Sequence, residues 1–253
     1  MKVFVKRLAF YIVLIGIWQL VALQINIQSQ FPEPLAVASA LYEGFLDGSL
    51  PQAILQSFKH LIVGLAISVF LGTSLGVLLA KSKTADDTLG SMILALQSVP
   101  GIVWVPLALL WFGFSSSAII FVIVIGGTFV MAMNMRVGMM NVPPLYVQAA
   151  KTMGSSGLDL FFKVMIPSSV PYAVTGLKLA WAFGWRGLMA GEMLGGIGGG
   201  LGYTLQFASD FAQPQVVFAV IIIIGVIGAC VDQFILQKIE RSVLRRWGLS
   251  KNI

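Results

Sequence analysis

Within the otherwise apolar run 178–192, KLAWAFGWRGLMAGE, lie Lys178, Arg186 and Glu192, accompanied by Trp181 and Trp185. Ionisable side chains inside such a run are costly in lipid, so they face protein or water and are functional candidates. Lys178, Trp181, Trp185 and Glu192 share one helical stripe, because a spacing of seven returns within about 20°. Arg186 points about 100° away from Trp185, which places a same-helix bond to Glu192 poorly. A guanidinium at this depth suits a planar or tetrahedral oxyanion, whose geometry its donor fork matches. Arg186 or Glu192, with Trp185 and Trp181 beside them, is therefore a candidate lining for a solute pathway. A buried ion pair between helices or subunits is the competing reading. Lys178, near one end of the run, can snorkel to the interface, and Gly187 and Gly191 form a GxxxG suited to close helix packing.

Other chemistry lacks its residues. The chain has one histidine, His60, and one cysteine, Cys230. A Ser/His/Asp arrangement, a disulfide framework and a metal cluster are thereby unsupported, and His60 reads as an interfacial polar residue. No GxxxxGK[ST] phosphate loop exists, and GGIGGGLG (195–202) fails the GxGxxG spacing at every start. That glycine run reads instead as a tight turn where backbone passes close by. No catalytic residue, metal or cofactor is expected in this chain.

The elements that carry these residues follow from hydropathy. Of 253 residues, 58% are hydrophobic and 10% charged, and the mean hydropathy is +0.92. A soluble domain carries about a quarter charged residues, so lipid must be the solvent for much of this surface. The expected architecture is an all-α polytopic membrane protein with one transmembrane domain over 1–253. Six spans are predicted, at about 8–25, 61–80, 91–112, 117–135, 173–194 and 216–236. The first reads as a retained helix rather than a cleaved signal peptide, because no small-x-small pattern closes it. Pro32 and Pro34 impose an extended lead into a short interfacial helix in the first loop.

Lysine and arginine are asymmetric about these spans. With the N-terminus inside, the inner segments hold Lys81, Lys83, Arg136, Lys151, Lys163, Lys238, Arg241, Arg245 and Arg246 among others, while the outer segments hold only Lys59. This pattern predicts cytoplasmic N- and C-termini. It also accounts for the formal net charge of +6 without nucleic acid, the basic tail lying on an anionic inner leaflet.

The longest inner connection, 136–172, contains QAAKTMGSSGLDLFFKVMIP at 148–167. Its pattern predicts a helix begun at Pro143–Pro144 and stopped at Gly154–Gly157, then a second short helix ending at Pro167. The alternative is an ordinary amphipathic loop. Gln148-Ala149-Ala150, Gly154 and Ile166-Pro167 resemble the EAA loop of binding-protein-dependent ABC importer permeases. Gln148 stands for the glutamate, Val164 for the isoleucine and Ile166 for the leucine of that loop. FPEPLAVASAL, VPLALLWFGFS and AGEMLGGIGGGLGY are similar to the nitrate/sulfonate/taurine branch, and the likeness runs from about residue 8 to 248.

The resemblance implies a type I ABC importer permease-like fold with a cytoplasmic coupling helix between the fourth and fifth spans. It implies a second permease subunit, with a homodimer favoured and a heterodimer left open, and a cytoplasmic ATPase dimer that binds ATP and Mg. It also implies an extracytoplasmic substrate-binding protein, in a bacterial inner membrane. Gln148, Ala149, Ala150, Gly154, Ile166 and Pro167 would then seat the ATPase, and the solute would be a small oxyanion such as a sulfonate, taurine or nitrate. A stand-alone secondary transporter or channel is the rival, which inverted repeats or broken midplane helices would favour.

Overall fold

The computed structural model describes residues 2–25, 30–195 and 199–248, and every regular element among them is helical. In chain order these are α1 (Lys2–Ile25), α2 (Pro34–Leu46), α3 (Ser49–Lys81), α4 (Lys83–Gln97), α5 (Gly101–Phe112), α6 (Ser116–Met140), α7 (Pro144–Thr152), α8 (Gly157–Gly195), α9 (Leu201–Asp210) and α10 (Pro214–Arg246). The starts of α2, α7 and α10 each place a proline in the first helical positions, where its missing N–H costs nothing and its fixed φ is already helical.

Five helices are long and apolar enough to cross a membrane by themselves: Leu8–Ile25, α3, α6, α8 and α10. The predicted span 8–25 coincides with the first. The predicted spans 61–80, 117–135, 173–194 and 216–236 each lie inside a longer helix. The expected third span, 91–112, is not one helix. The chain turns by 101° between α4 and α5. Pro100, at φ −57° and ψ 140°, has no N–H to continue α4 and keeps the residue before it out of helical conformation.

The interior forms where α3, α6 and α8 pack together. Leu61, Ile119, Ile123, Trp185 and Leu188 share one apolar cluster with Leu201 of α9 and Val220 of α10. Close approach is set by small residues. A Cβ on Gly72 would stand 2.5 Å from that of Met131, and one on Gly76 would stand 2.5 Å from the Ala132 carbonyl. On α8, Gly187 and Gly191 lie against Val122 and Ile119, the packing role that their GxxxG spacing suggests. By contrast α1 is held mainly near its C-terminal end, where Trp18 Nε1 donates to the Pro32 carbonyl at 3.0 Å and Gln19 to Glu33 at 3.1 Å.

One end of the bundle gathers Lys81, Asp86, Arg136, Phe161, Glu240 and Trp247. Arg136 forks onto Asp86, Lys81 lies 3.5 Å from the centre of the Phe161 ring, and Lys178 Nζ donates to Glu240 at 3.1 Å. Asp232, at 3.9 Å, also faces Lys178, so this lysine is paired with α10.

The second short helix of the loop does not end at Pro167. It continues through a widened turn at Phe161–Met165 directly into the long membrane helix. Two prolines interrupt its hydrogen-bond ladder, and each gap has a remedy. Pro167 would clash with the carbonyl four residues back, that of Lys163, and Lys163 lies in the widened turn. Pro171 leaves the Pro167 carbonyl without its intrahelical donor, and Trp247 Nε1 supplies one at 3.1 Å.

Candidate functional site

At the end that carries Asp86 and Arg136, α7 is a short helix with a sharply defined stop. The N–H of Ser155 donates to the Ala150 carbonyl at 2.9 Å, and that of Gly154 to Lys151 at 3.0 Å. These two bonds form a Schellman cap, whose penultimate position needs a left-handed residue. Gly154 has φ +89° and Gly157 φ +53°, a region that glycine reaches without the Cβ penalty. The space around a Cβ at Gly154 is open, so the need for glycine there is conformational. The motif's spacing has a local physical cause: Gln148, Ala149 and Ala150 occupy the helix, and Gly154 closes it.

No residue from Pro143 to Ser168 is buried. Leu145, Tyr146, Met153, Leu158 and Phe162 are all exposed, Met153 at 86%. Gln148 and Ala149 are exposed, and Ala150, Ile166 and Pro167 are half-buried. Asp159 is held below the usual carboxylate range by its bond from Lys163 and then by Ser155. This segment is a stiff, partly apolar knob that its own chain covers only in part.

The pathway candidates divide into two places. Arg186 and Trp185 line a cavity of about 620 Å³. Its other walls include Gln97 and Pro100 at the α4–α5 break, and Phe129 and Phe183. Arg186 is exposed, and no described carboxylate lies within ion-pair distance of it. One guanidinium in a mostly apolar wall can hold an anion while the rest of the wall offers it few competing partners. Trp181 stacks on Trp185, with centroids 5.7 Å apart and planes 10° from parallel, but it is outside the cavity lining.

Glu192 is elsewhere. It is fully buried, at the opposite end of the molecule from α7, among partners from two other elements, α3 and α9. Ser57 of α3 donates to its two carboxylate oxygens at 3.0 and 2.8 Å. His60 Nδ1 lies 3.1 Å from Oε1, and the N–H of Gly202 donates to Oε2 at 3.0 Å. The N–H of Leu201 donates to Ser57 Oγ at 2.8 Å. His60 Nε2 lies 3.0 Å from Ser116 Oγ and 3.3 Å from Gln56 Nε2. Because a carboxylate only accepts, Nδ1 carries the proton and Nε2 accepts. The knot thus caps the first N–H groups of α9 and joins α3, α6 and α8. Gly200 lies so close that a Cβ there would stand 2.1 Å from Glu192 Oε1. That is the close backbone passage the glycine run implies; residues 196–198 of the run lie outside the described residues.

Ser57 and His60 are the residues that sequence reasoning missed. Their spacing of three puts them on one face of α3, and His60 is buried rather than interfacial. A lone histidine facing an apolar helix with a serine one turn earlier is a signal only once Glu192 is known to lie opposite.

Residues 68–243 match the family of binding-protein-dependent transport system inner membrane components. A protein of Methanocaldococcus jannaschii described as an ABC transporter permease is 34% identical over 236 residues, covering 92% of this chain and 88% of that one. A nitrate import permease protein of Leptolyngbya laminosa is 32% identical, covering 90% and 83%. Among solved structures, the inward-facing MetNI methionine ABC transporter is similar with a TM-score of 0.65 at 19% identity, covering 78% of this chain and 97% of that chain.

Proposed function

The chain belongs to the family of binding-protein-dependent transport inner-membrane components, and from that premise we propose that α7 and its flanks are the docking seat of a separate cytoplasmic ATPase. The chain is a multi-pass ABC importer permease and not itself an enzyme. ATP and Mg belong to the partner, and force from its closure enters here through Gln148, Ala149, Ala150, Gly154, Ile166 and Pro167. The observation that carries this reading is the knob itself, with no buried residue over 143–168 on a backbone fixed by the Schellman cap. Burying such a knob in a partner groove stabilises by about 25 cal/mol per Å² of apolar area.

The basic residues of that end, Lys81, Arg136, Lys163 and those of the α10 tail, support a cytoplasmic location for it through the positive-inside bias. Both termini then lie in the cytoplasm of a bacterial cell. The outer end receives solute from an extracytoplasmic binding protein, and a second copy of this chain completes the path. The solute is a small oxyanion such as nitrate, taurine or another sulfonate. Support comes from the single guanidinium of Arg186 in its cavity and from the nitrate permease relative. The break between α4 and α5 is a feature a stand-alone transporter would also use. Membership of this family and the exposed knob favour the ATP-driven importer.

Co-purification with a cytoplasmic ABC ATPase from the same cells tests the docking seat. Ala149→Trp is expected to abolish it while leaving the thermal stability of the solubilised permease unchanged. Retention of the ATPase by that variant, or its loss from the unmodified chain, overturns the assignment.

A further inference from the structure

We infer that Glu192 is a positioning residue that locks the outer end of α8 to α3 and α9, so that motion entering at the knob is delivered to the outer mouth. The inference rests on the coupling reading of α7. The two sites are the ends of one helix: α8 runs 39 residues, about 58 Å at ~1.5 Å per residue. The knob opens into its first turn, and Glu192 sits three residues before its last.

A helix transmits tilt only if its interior is stiff and its far end is gripped. Continuity across the two prolines comes from the widened turn, which takes up the clash at Pro167, and from Trp247, whose indole replaces the donor lost at Pro171. Lys178 adds a lateral tie to α10 through Glu240. Grip comes from Glu192. Its carboxylate accepts from Ser57, His60 and Gly202 within 2.8–3.1 Å, and Ser57 in turn receives the Leu201 N–H. The same carboxylate therefore holds α3 through two side chains and the N-terminal N–H groups of α9 through one direct bond and one relayed bond. Packing alone would let α9 slide over the Leu201 contact. Directional bonds to a buried charge do not, because a displaced carboxylate would be left unsatisfied in a low-dielectric interior. α9 is also the helix that brings Thr204 to an outer cavity of about 860 Å³ with Glu33, Glu43 and Asp47 on its rim. Movement of α8 then reshapes that mouth through Glu192.

Single-cysteine reporters in the assembled complex test this without knowledge of the solute. Cys230 is replaced by serine, and Ser209→Cys, at an exposed position of α9, or Leu158→Cys, at an exposed position within the knob, is added. Maleimide reaction rates are compared in resting and ATP–vanadate-trapped complexes. With Glu192 present, both reporters are expected to change rate severalfold on trapping. In Glu192→Gln, ATP hydrolysis and the Leu158→Cys response persist while the Ser209→Cys response is lost. A Ser209→Cys response that survives in Glu192→Gln, or that is absent with Glu192 present, overturns the inference. So does joint loss of both responses in Glu192→Gln, which would mark Glu192 as a general structural residue. A Leu158→Cys reporter silent with Glu192 present overturns the coupling reading instead, and the inference with it. Should Glu192→Gln fail to accumulate, Glu192→Asp withdraws the carboxylate by one methylene from Ser57, His60 and Gly202 alike, and the same outcomes decide.

Discussion

The two ends of α8 are opposites. Both carboxylate oxygens of Glu192 have partners within the chain and the residue is fully buried. Around Gly154 no side chain is buried, and Met153 stands 86% exposed. Yet both ends are stiff. The outer end is stiff because directional bonds from α3 and α9 converge on one carboxylate of α8. The inner end is stiff because a capped short helix fixes its backbone and leaves the side chains free. A finished contact and an unfinished one therefore need different chemistry: saturation in the first, exposed apolar surface on a rigid frame in the second.

That contrast breaks most readily at Glu192. Glu192→Ala leaves the Ser57 hydroxyl, the Gly202 N–H and the His60 ring without this acceptor in the interior, and a loss of about 3 kcal/mol is expected, the upper part of the range for leaving buried hydrogen-bonding groups unsatisfied. Thermal unfolding of the solubilised protein measures it. A change below about 0.5 kcal/mol, the size seen at ordinary surface positions, would mean the knot is not saturated as described. At the inner end the effect moves from stability to partnership. Gly154→Val forces a β-branched residue to φ +89°, which costs about 1–2 kcal/mol locally. ATPase binding is expected to weaken by about tenfold, the equivalent of ~1.4 kcal/mol, with little change in the global unfolding temperature.

Between the ends, Arg186→Gln sharpens the comparison, since Arg186 is neither saturated nor part of the knob. Solute uptake by the reconstituted complex is expected to fall while assembly and unfolding temperature hold. Unchanged uptake would remove Arg186 from the pathway. The smallest effect belongs to Lys163→Met. Asp159 has a lowered pKa through Lys163, so its stabilising contribution is present above the ordinary value of 3.8 and is lost as pH falls through the lower folded value. Removing Lys163 should therefore erase a slight acid-side dependence of the unfolding temperature and leave its value near neutrality almost unchanged.

Legibility in the sequence followed the range of the forces involved. The helix begun at Pro144 and stopped at Gly154 was readable because capping acts over a few residues. The second short helix was misread as ending at Pro167. The carbonyl freed by Pro171 is satisfied by Trp247, 80 residues from its acceptor, and no local rule contains that bond. The 101° break at Ser98–Pro100 was signalled by Pro100, but a proline inside an apolar run fits both a kinked span and a broken one.

Hydropathy, proline and glycine placement and the distribution of lysine and arginine determined that this chain is a bundle of membrane helices with a mixed polar and apolar interruption between the fourth and fifth spans. Those properties sum over neighbouring residues and need no knowledge of what packs where. The partner of each interior charge was decided only in three dimensions. Ser57 and Glu192 are 135 residues apart, and their meeting depends on the approach of α3, α6 and α8 across glycine faces. The stripe that placed Glu192 beside Trp185 was a true statement about one helix. Which neighbour covers that stripe is a property of the assembled bundle, and it put the carboxylate in the interior and left Arg186 on the cavity wall.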